Sequence, residues 1–323
     1  MKNIRNRNKN GNKIYDVAII GSGAAGCTAA IYATRYSLET VFFGGPLPGG
    51  LITEALDVEN YPGFLHISGI ELANKFISHA KNLGAEYIED VVNSIVKQNN
   101  IFLVKTSAGN LYKSKSIILA MGTHHRKLGV PGEKEFEGKG VSYCSTCDGP
   151  FFKDKVVAVV GGGNSAVEGA QDVSAHASRV YIIYRSDLKA APLYVENMRK
   201  IKKIIEVPQR NVIEIKGDKK VTSVVLDKEF KGNKELKVDG IFIHIGYIPS
   251  NEIAQSLGCE ITKYGYVKVN AAMETTVKGV FCAGDLNNAS NLLHQQVTSA
   301  GEGAVAAQGV FRYLRGFSPV IES

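Results

Sequence analysis

The sequence predicts an α/β protein of two doubly wound, Rossmann-like nucleotide-binding domains, the second inserted into the first. Three observations carry this: a strand, glycine turn and helix near the start, a second such unit in the middle, and a late apolar strand ending in glycine and aspartate.

The first unit is the apolar strand Ile14 to Ile20, the turn Gly21-Ser22-Gly23-Ala24-Ala25-Gly26, and an alanine-rich helix through about Arg35. Gly21 allows the tight turn, Gly23 lets a pyrophosphate approach the backbone, and Gly26 lets helix and strand pack closely. The helix N-terminus then offers amide hydrogens and a positive dipole end to phosphate. The second unit is Val156 to Val160, then Gly161-Gly162-Gly163-Asn164-Ser165-Ala166, with a helix to about His176. Flanking strands and helices make each turn far more specific than a lone glycine pattern.

About 20 residues after such a turn, an acid suits a free ribose and an arginine suits a 2′-phosphate. The strand Val180 to Tyr184 ends at Arg185, which favours NADPH over NADH on one arginine. The strand Thr40 to Phe43 ends in Gly44-Gly45 with no acid, a departure from the NAD pattern. The late strand Gly279 to Asp285 brings Asp285 to a strand end, where a carboxylate accepts hydrogen bonds from a ribityl chain. A late segment closing an early site implies a discontinuous first domain, 14–125 plus 251–323, around a second domain, 126–250.

Cys144 and Cys147, in Tyr143-Cys144-Ser145-Thr146-Cys147-Asp148-Gly149, form a dithiol pair just ahead of the second turn. A lowered pKa on one thiol makes such a pair a nucleophile toward other disulfides. Half of a zinc knuckle is the competing reading, but two further ligands are missing, because Cys27, Cys259 and Cys282 stand singly. The seven histidines form no metal pattern, so no metal is expected. Asp148-Gly149, just after the pair, reads by itself as a plain turn.

The 323 residues, 44% hydrophobic, suffice for two domains without covalent staples. Five cysteines, an odd count without framework spacing, fit a reducing, cytoplasmic compartment. Residues 1–13 carry Lys2, Arg5, Arg7, Lys9 and Lys13 among asparagines and read as a flexible tail, not a signal peptide. No apolar run approaches the roughly 20 residues that span a bilayer. The net charge is +7, but five of the basic residues fall in the tail and the rest are dispersed, so neither nucleic acid nor membrane is expected as a partner. Lys200 to Lys203 reads as the solvated face of a helix.

Both glycine turns, the dithiol, Val58-Glu59-Asn60-Tyr61-Pro62-Gly63 and Thr298-Ser299-Ala300-Gly301-Glu302-Gly303 together resemble the low-molecular-weight thioredoxin reductases, from about Tyr15 to Leu314. The resemblance implies a homodimer that passes electrons from NADPH or NADH through FAD to the Cys144/Cys147 disulfide and on to thioredoxin or a glutaredoxin-like protein. It further implies that Cys147 faces the flavin, that Cys144 exchanges with the partner, and that Asp148 handles protons. By the same likeness, Gly21, Ser22, Gly23, Ala24, Ala25, Gly26, Gly50, Asn60, Gly122, Gly284, Asp285, His294 and Gln295 contact FAD. Gly161, Gly163, Asn164, Ser165, Ala166, Arg185 and Lys189 would hold the nicotinamide nucleotide.

Departures from the family pattern cluster on electron supply. The family's His-Arg-Arg-Asp and following arginine read Tyr184-Arg185-Ser186-Asp187-Leu188-Lys189 here. Around the flavin, Gly49-Gly50-Leu51-Ile52, Ala120-Met121-Gly122 and His294-Gln295 each replace a polar family residue. Weakened NADPH use makes NADH, ferredoxin or a deazaflavin an alternative donor to the same architecture. An NAD(P)H oxidase, a hydroperoxide-reductase flavoprotein and a flavin-binding regulator without turnover are the remaining readings.

Overall fold

The computed structural model describes residues 13–45, 47–55 and 57–317. The basic tail expected over 1–13 lies, apart from Lys13, outside them. The contacts divide the chain into two units, Met1–His124 with Pro249–Ser323, and His125–Ile248. Strands and helices are numbered along the chain.

In the first unit, β2 (Val17–Ile20), α1 (Ala24–Arg35), β3 (Thr40–Gly44), α2 (Gly69–Asn82) and β4 (Glu86–Glu89) follow one another as strand-helix-strand crossovers. With β8 (Ile117–Leu119) and β19 (Val280–Cys282) they form a parallel sheet ordered β19-β8-β2-β3-β4. The order reverses beside β2, so the carboxyl end of β2 lies at the switch point where such sheets bind ligands. A second sheet joins β1 (Ile14–Tyr15) to the meander β5 (Val92–Gln98), β6 (Ile101–Thr106) and β7 (Leu111–Ser114).

Side-chain alternation explains the layers. Val17, Ile19, Phe42, Ile118 and Phe281 pack with the alanines of α1 and with α7 (Gln296–Arg315). Ala18, Ile20, Val41, Phe43, Ile117 and Leu119 face the meander residues Ile95, Phe102 and Val104. A Cβ on Gly303 of α7 would collide with the carbonyl of Ala25 in α1, so small residues let the two helices close together. The expected single strand Ile14 to Ile20 is two strands in different sheets. It breaks at Asp16, whose carboxylate accepts from the Glu39 amide at 2.9 Å and from Lys115 at 2.8 Å.

Two segments at the unit boundary, β9 (Thr123–His125) and β18 (Tyr247–Pro249), pair as a two-stranded ribbon. The second unit repeats the plan with β10 (Val141–Ser142), α3 (Ser145–Asp148), β11 (Val156–Val160), α4 (Asn164–Ser174), β12 (Arg179–Tyr184), α5 (Pro192–Arg199), β13 (Ile204–Pro208) and β17 (Gly240–Ile243). Its parallel sheet runs β10-β17-β11-β12-β13, again with the glycine-turn strand at the switch point. Val157, Val159, Val180, Ile182 and Phe242 pack on α4. Their neighbours Ala158, Val160, Ile183, Ile241 and Ile243 pack on the antiparallel β14 (Val212–Gly217), β15 (Val221–Phe230) and β16 (Asn233–Lys237). The completed α6 (Glu252–Ser256) belongs to the first unit.

Lys200 to Lys203, expected on a helix face, instead follows α5, which ends at Arg199. Lys203 donates to the carbonyls of Ala177 at 3.1 Å and Ser174 at 3.3 Å, satisfying the carboxyl end of α4 where a cation suits the helix dipole.

Glu206 on β13 fixes the end of β12: it accepts the Tyr184 hydroxyl at 2.6 Å and pairs with Arg199 at 2.8 Å. The Arg199 guanidinium holds its carboxyl below the usual range. A depressed carboxylate stabilises the fold above its unfolded pKa and loses that contribution as pH falls through the folded value. Glu206→Gln is therefore expected to lower the urea midpoint at about pH 7 and to match wild type near pH 3. A deficit unchanged across that range would contradict the assignment.

Candidate functional site

The glycine turn of the first unit is built as its chemistry requires. Gly21 has φ +121, and a Cβ there would meet the Ala120 carbonyl; a Cβ on Gly26 would meet the carbonyl of Gly21. Gly23 is more open, with only the Gly49 oxygen near at 3.4 Å. Helix α1 starts at the N-cap Gly23 without a side-chain cap and with no acid in its first turn. Its leading amides, at Ala24 and Ala25, are thus left for an anion at the positive end of the helix dipole. Ser22 is 4% exposed, and its Oγ accepts from the amide of Gly49 at 3.2 Å, tying the turn to the segment with Gly50.

The late segment reaches the same sheet edge. Asp285 follows β19, and its Oδ1 accepts from Ser299 Oγ at 2.9 Å. Burial pushes its carboxyl above the usual range, against the pull of Ser299 and His294. Among the described residues, His294 Nε2 is buried without a hydrogen-bond partner, and the ring lies against Tyr266 with centroids 5.4 Å apart. Asn60 Nδ2 donates to Gln295 Oε1 at 3.0 Å, joining two expected flavin contacts distant in sequence. Gly122 and Gly284 both take left-handed backbone, with φ +62 and +79. An uncapped phosphate turn, a buried acceptor and an orphaned ring nitrogen fit a large polar cofactor with phosphate at one end.

Sequence reasoning assigned no role to Glu302, although it lies in a motif already singled out. It is 7% exposed, and its Oε2 accepts from the Gly284 amide at 2.8 Å and from Asn287 Nδ2 at 2.7 Å. The carboxylate thereby sets the loop that presents Asp285.

In the second unit, a cavity of about 800 Å³ opens over the carboxyl ends of β11, β12 and β17. Gly161, Gly163, Asn164, Ser165, Arg185 and Lys189 line it. Gly161 has φ +141, and Gly163 has nothing within 4 Å of a would-be Cβ, leaving space above the uncapped N-terminus of α4. Asn164 Oδ1 accepts from the Ala191 amide at 2.8 Å, and Lys189 N donates to the Gly162 carbonyl at 2.6 Å, so the segment after Arg185 folds back over the turn. Ala166, expected at the nucleotide, is buried in the core beneath it.

Arg210, just past β13, also lines the cavity and was not foreseen, because nothing in its spacing marks it. Its amide donates to the Tyr184 carbonyl at 3.2 Å, directly before Arg185. Three guanidinium bonds to backbone carbonyls, of Pro208 at 2.9 Å and Glu229 at 3.1 and 2.7 Å, fix the group without neutralising it.

Cys144 and Cys147 are joined as a disulfide in this unit. Cys144 caps α3: its Sγ accepts from the Cys147 amide at 3.0 Å. Cys147 is exposed and Cys144 partly so. Asp148 ends α3, and Gly149 continues into a 3-10 turn, Gly149–Phe152, so Asp148-Gly149 is a helix junction and not a free-standing turn. Cys27, Cys259 and Cys282 are buried; burial pushes the Cys27 thiol up to about 12 and raises the other two as well. Unseen in the sequence, Asp57, Glu59 and His66 bring one ligand atom each to within 4.8 Å of one another on the exposed surface.

A model of the pyridine nucleotide-disulphide oxidoreductases matches residues 15–306. The chain belongs to that family. A thioredoxin reductase of Bacillus subtilis is 43% identical to it over 305 residues, 94% of this chain and 95% of that one. The crystal structure of Lactococcus lactis thioredoxin reductase superposes with a TM-score of 0.87 at 37% identity, covering 94% of this chain and all of that one. A ferredoxin-flavin thioredoxin reductase of Clostridium acetobutylicum aligns at 32% identity and a TM-score of 0.52, covering 94% and 98%. Within its family this oxidoreductase is of the low-molecular-weight thioredoxin reductase type. FAD and a pyridine nucleotide are the cofactors that membership implies. Among the described residues, no helix is long and apolar enough to cross a membrane.

Glu302→Ala leaves the Gly284 amide and the Asn287 amide group without their acceptor, each costing roughly 1–3 kcal/mol. The purified variant is expected to lose most of its bound flavin, read as visible absorbance per protein, with a lower thermal midpoint. Full flavin content at an unchanged midpoint would remove Glu302 from the site.

Proposed function

We propose that this protein is a cytoplasmic thioredoxin-disulfide reductase that draws electrons from NADPH and delivers them through Cys144 and Cys147 to a thioredoxin or a glutaredoxin-like protein. The observation that carries the reading is an accessible disulfide in the same unit as a cavity of dinucleotide size, lined by a glycine turn. FAD, held by the first unit, supplies the two-electron link between a hydride donor and a disulfide.

The residues divide the work as follows. Gly21, Gly23 and Gly26 with the α1 amides hold the FAD pyrophosphate, and Asp285, His294, Asn60 and Gln295 orient the rest. Gly161, Gly163 and the α4 amides hold the nicotinamide nucleotide. Once the cysteines are reduced, the Cys147 amide aimed at Cys144 Sγ favours the thiolate there. That thiolate attacks the partner's disulfide, forming a mixed disulfide and releasing one partner sulfur as a thiolate. Cys147 then attacks Cys144 Sγ, re-forms the internal disulfide and releases the second partner sulfur; Asp148 takes up the Cys147 proton and returns it to a leaving thiolate. A homodimer is the assembly that the sequence resemblance implies.

The donor is assigned by charge. Arg185, Lys189 and Arg210 converge on the end of β12, where the adenosine ribose of a doubly wound domain lies, against the single acid Asp187. Arg210, less exposed than its neighbours and already fixed, takes over from the arginine that Ser186 replaces. A ferredoxin-fed enzyme of the same architecture is the second reading, which the reduced arginine set favours and the intact cavity opposes.

Anaerobic stopped-flow mixing of the flavoprotein with NADPH or NADH tests the donor. NADPH is expected to bleach the flavin at lower concentration than NADH; bleaching by neither, with dithionite still effective, would favour ferredoxin. Arg210→Ala removes a charged contact worth about 1.5–3 kcal/mol. It is expected to raise the KM for NADPH about tenfold or more while leaving that for NADH within about twofold. Equal effects on both nucleotides would remove Arg210 from phosphate recognition. Cys144→Ser is expected to retain flavin bleaching while abolishing thioredoxin reduction.

A further inference from the structure

Ser145 lies between the two cysteines and is 4% exposed. Its Oγ shares a hydrogen bond of 2.6 Å with His244 Nε2, at the end of β17. Gly169, inside α4, faces both: a Cβ there would lie 2.7 Å from Ser145 Oγ and 2.8 Å from His244 Nε2. Glycine is unfavourable inside a helix, so its presence here is explained by the space the pair occupies. Burial pushes the His244 ring down to about 4, with His125 adding to the effect, so the ring is neutral at physiological pH. His244 also lines the nucleotide cavity, and its backbone amide donates to the Val160 carbonyl at 2.8 Å, just before the glycine turn.

We propose that His244 is a positioning residue for the dithiol: through Ser145 it holds the α3 turn against α4 and the end of β17 when the Cys144–Cys147 bond is open. The proposal rests on the redox cycling of that pair assigned above. The covalent link is absent for part of every cycle, and another constraint must then keep the sulfurs within reach. Other bonds also anchor the turn, among them Ser142 Oγ donating to the Cys144 carbonyl at 3.2 Å. Ser142 Oγ accepts from the Cys144 amide at 3.1 Å on the entry side, and Thr146 Oγ1 donates to Asp172 at 3.2 Å on the exposed face. The Ser145–His244 bond joins the buried Ser145 to the end of the sheet strand β17, where partial desolvation makes it costly to break.

The consequence is a shift in the dithiol-disulfide equilibrium. Holding both sulfurs in place raises their effective concentration toward each other and so favours the closed disulfide. Loss of the tether disfavours closure and raises the reduction potential.

The test uses the FAD-loaded enzyme equilibrated with dithiothreitol and its oxidised cyclic form. One dithiothreitol becomes the cyclic disulfide for each Cys144–Cys147 bond reduced to two thiols. Alkylation of the free thiols and mass measurement read the dithiol as two labels added beyond those on Cys27, Cys259 and Cys282, independently of the flavin. Ser145→Ala removes the hydroxyl, and His244→Phe keeps a ring without the nitrogen. Each is expected to reach half-reduction at an about tenfold lower ratio of reduced to oxidised dithiothreitol, a rise of about 30 mV. The double variant should shift no further, because both changes remove the same bond. His244→Gln retains hydrogen-bonding capacity and is expected to stay within about threefold of wild type. Far-UV circular dichroism and flavin absorbance confirm that each variant is folded. Single variants within threefold of wild type, or a double variant whose shift is the product of the two, would overturn the proposal. If the proposal alone fails, wild type still titrates as a reversible dithiol; a wild-type pair that does not re-form under oxidised dithiothreitol would overturn both it and the reductase reading.

Discussion

The close approach of a strand end to the start of the next helix governs both halves of this molecule. At Gly21 and Gly161 the backbone turns through positive φ, and any side chain would strike a neighbouring carbonyl. What this packing secures is electrostatic. The first amides of α1 and α4 emerge without side-chain caps and without acids in their first turns, leaving donors and a positive dipole end that suit an anion. The rest of each unit serves that end. Alternating apolar strands fix the sheet, the sheet fixes the switch point, and crossover helices bring their N-termini to it.

The two units use one plan but finish their sites differently. The first borrows its last strand and helix from the end of the chain, and Glu302 of α7 sets the loop that carries Asp285. A buried carboxylate with two donors makes that closure specific, since an apolar substitute would leave both donors unsatisfied. The second unit is completed within one continuous stretch. Its distinctive chemistry is cationic at the end of β12 and sulfur-based at α3, with His244 lining the cavity and bonded to Ser145 of α3.

The proposed use of NADPH turns on which elements bring cationic side chains to the cavity. Ser186 removes a guanidinium from the strand that ordinarily supplies it, whereas Arg210 enters the same cavity from the adjacent strand end. Parallel pairing of β12 and β13 makes such neighbours nearly equivalent in space, because Tyr184 lies opposite Pro208. Charge recognition depends on where the group ends up and is indifferent to the element that carries it.

Local chemistry alone determined the fold class, the two glycine turns, the dithiol and the return of Asp285, because each is encoded within a few consecutive residues whose spacing has one physical use. The break at Asp16, the position of Lys203 beyond α5, and the burial of Ala166 were decided by tertiary packing. An apolar run does not reveal which sheet it joins, and a charged run does not reveal where its helix stops. Arg210, Glu302 and His244 were equally silent in the sequence. Their roles come largely from contacts distant in sequence, as in Glu302 with Gly284, 18 residues away, and His244 with Ser145, 99 residues away. Only the folded sheet creates those distances, and a lone charged or imidazole side chain carries no spacing signal until its partners are beside it.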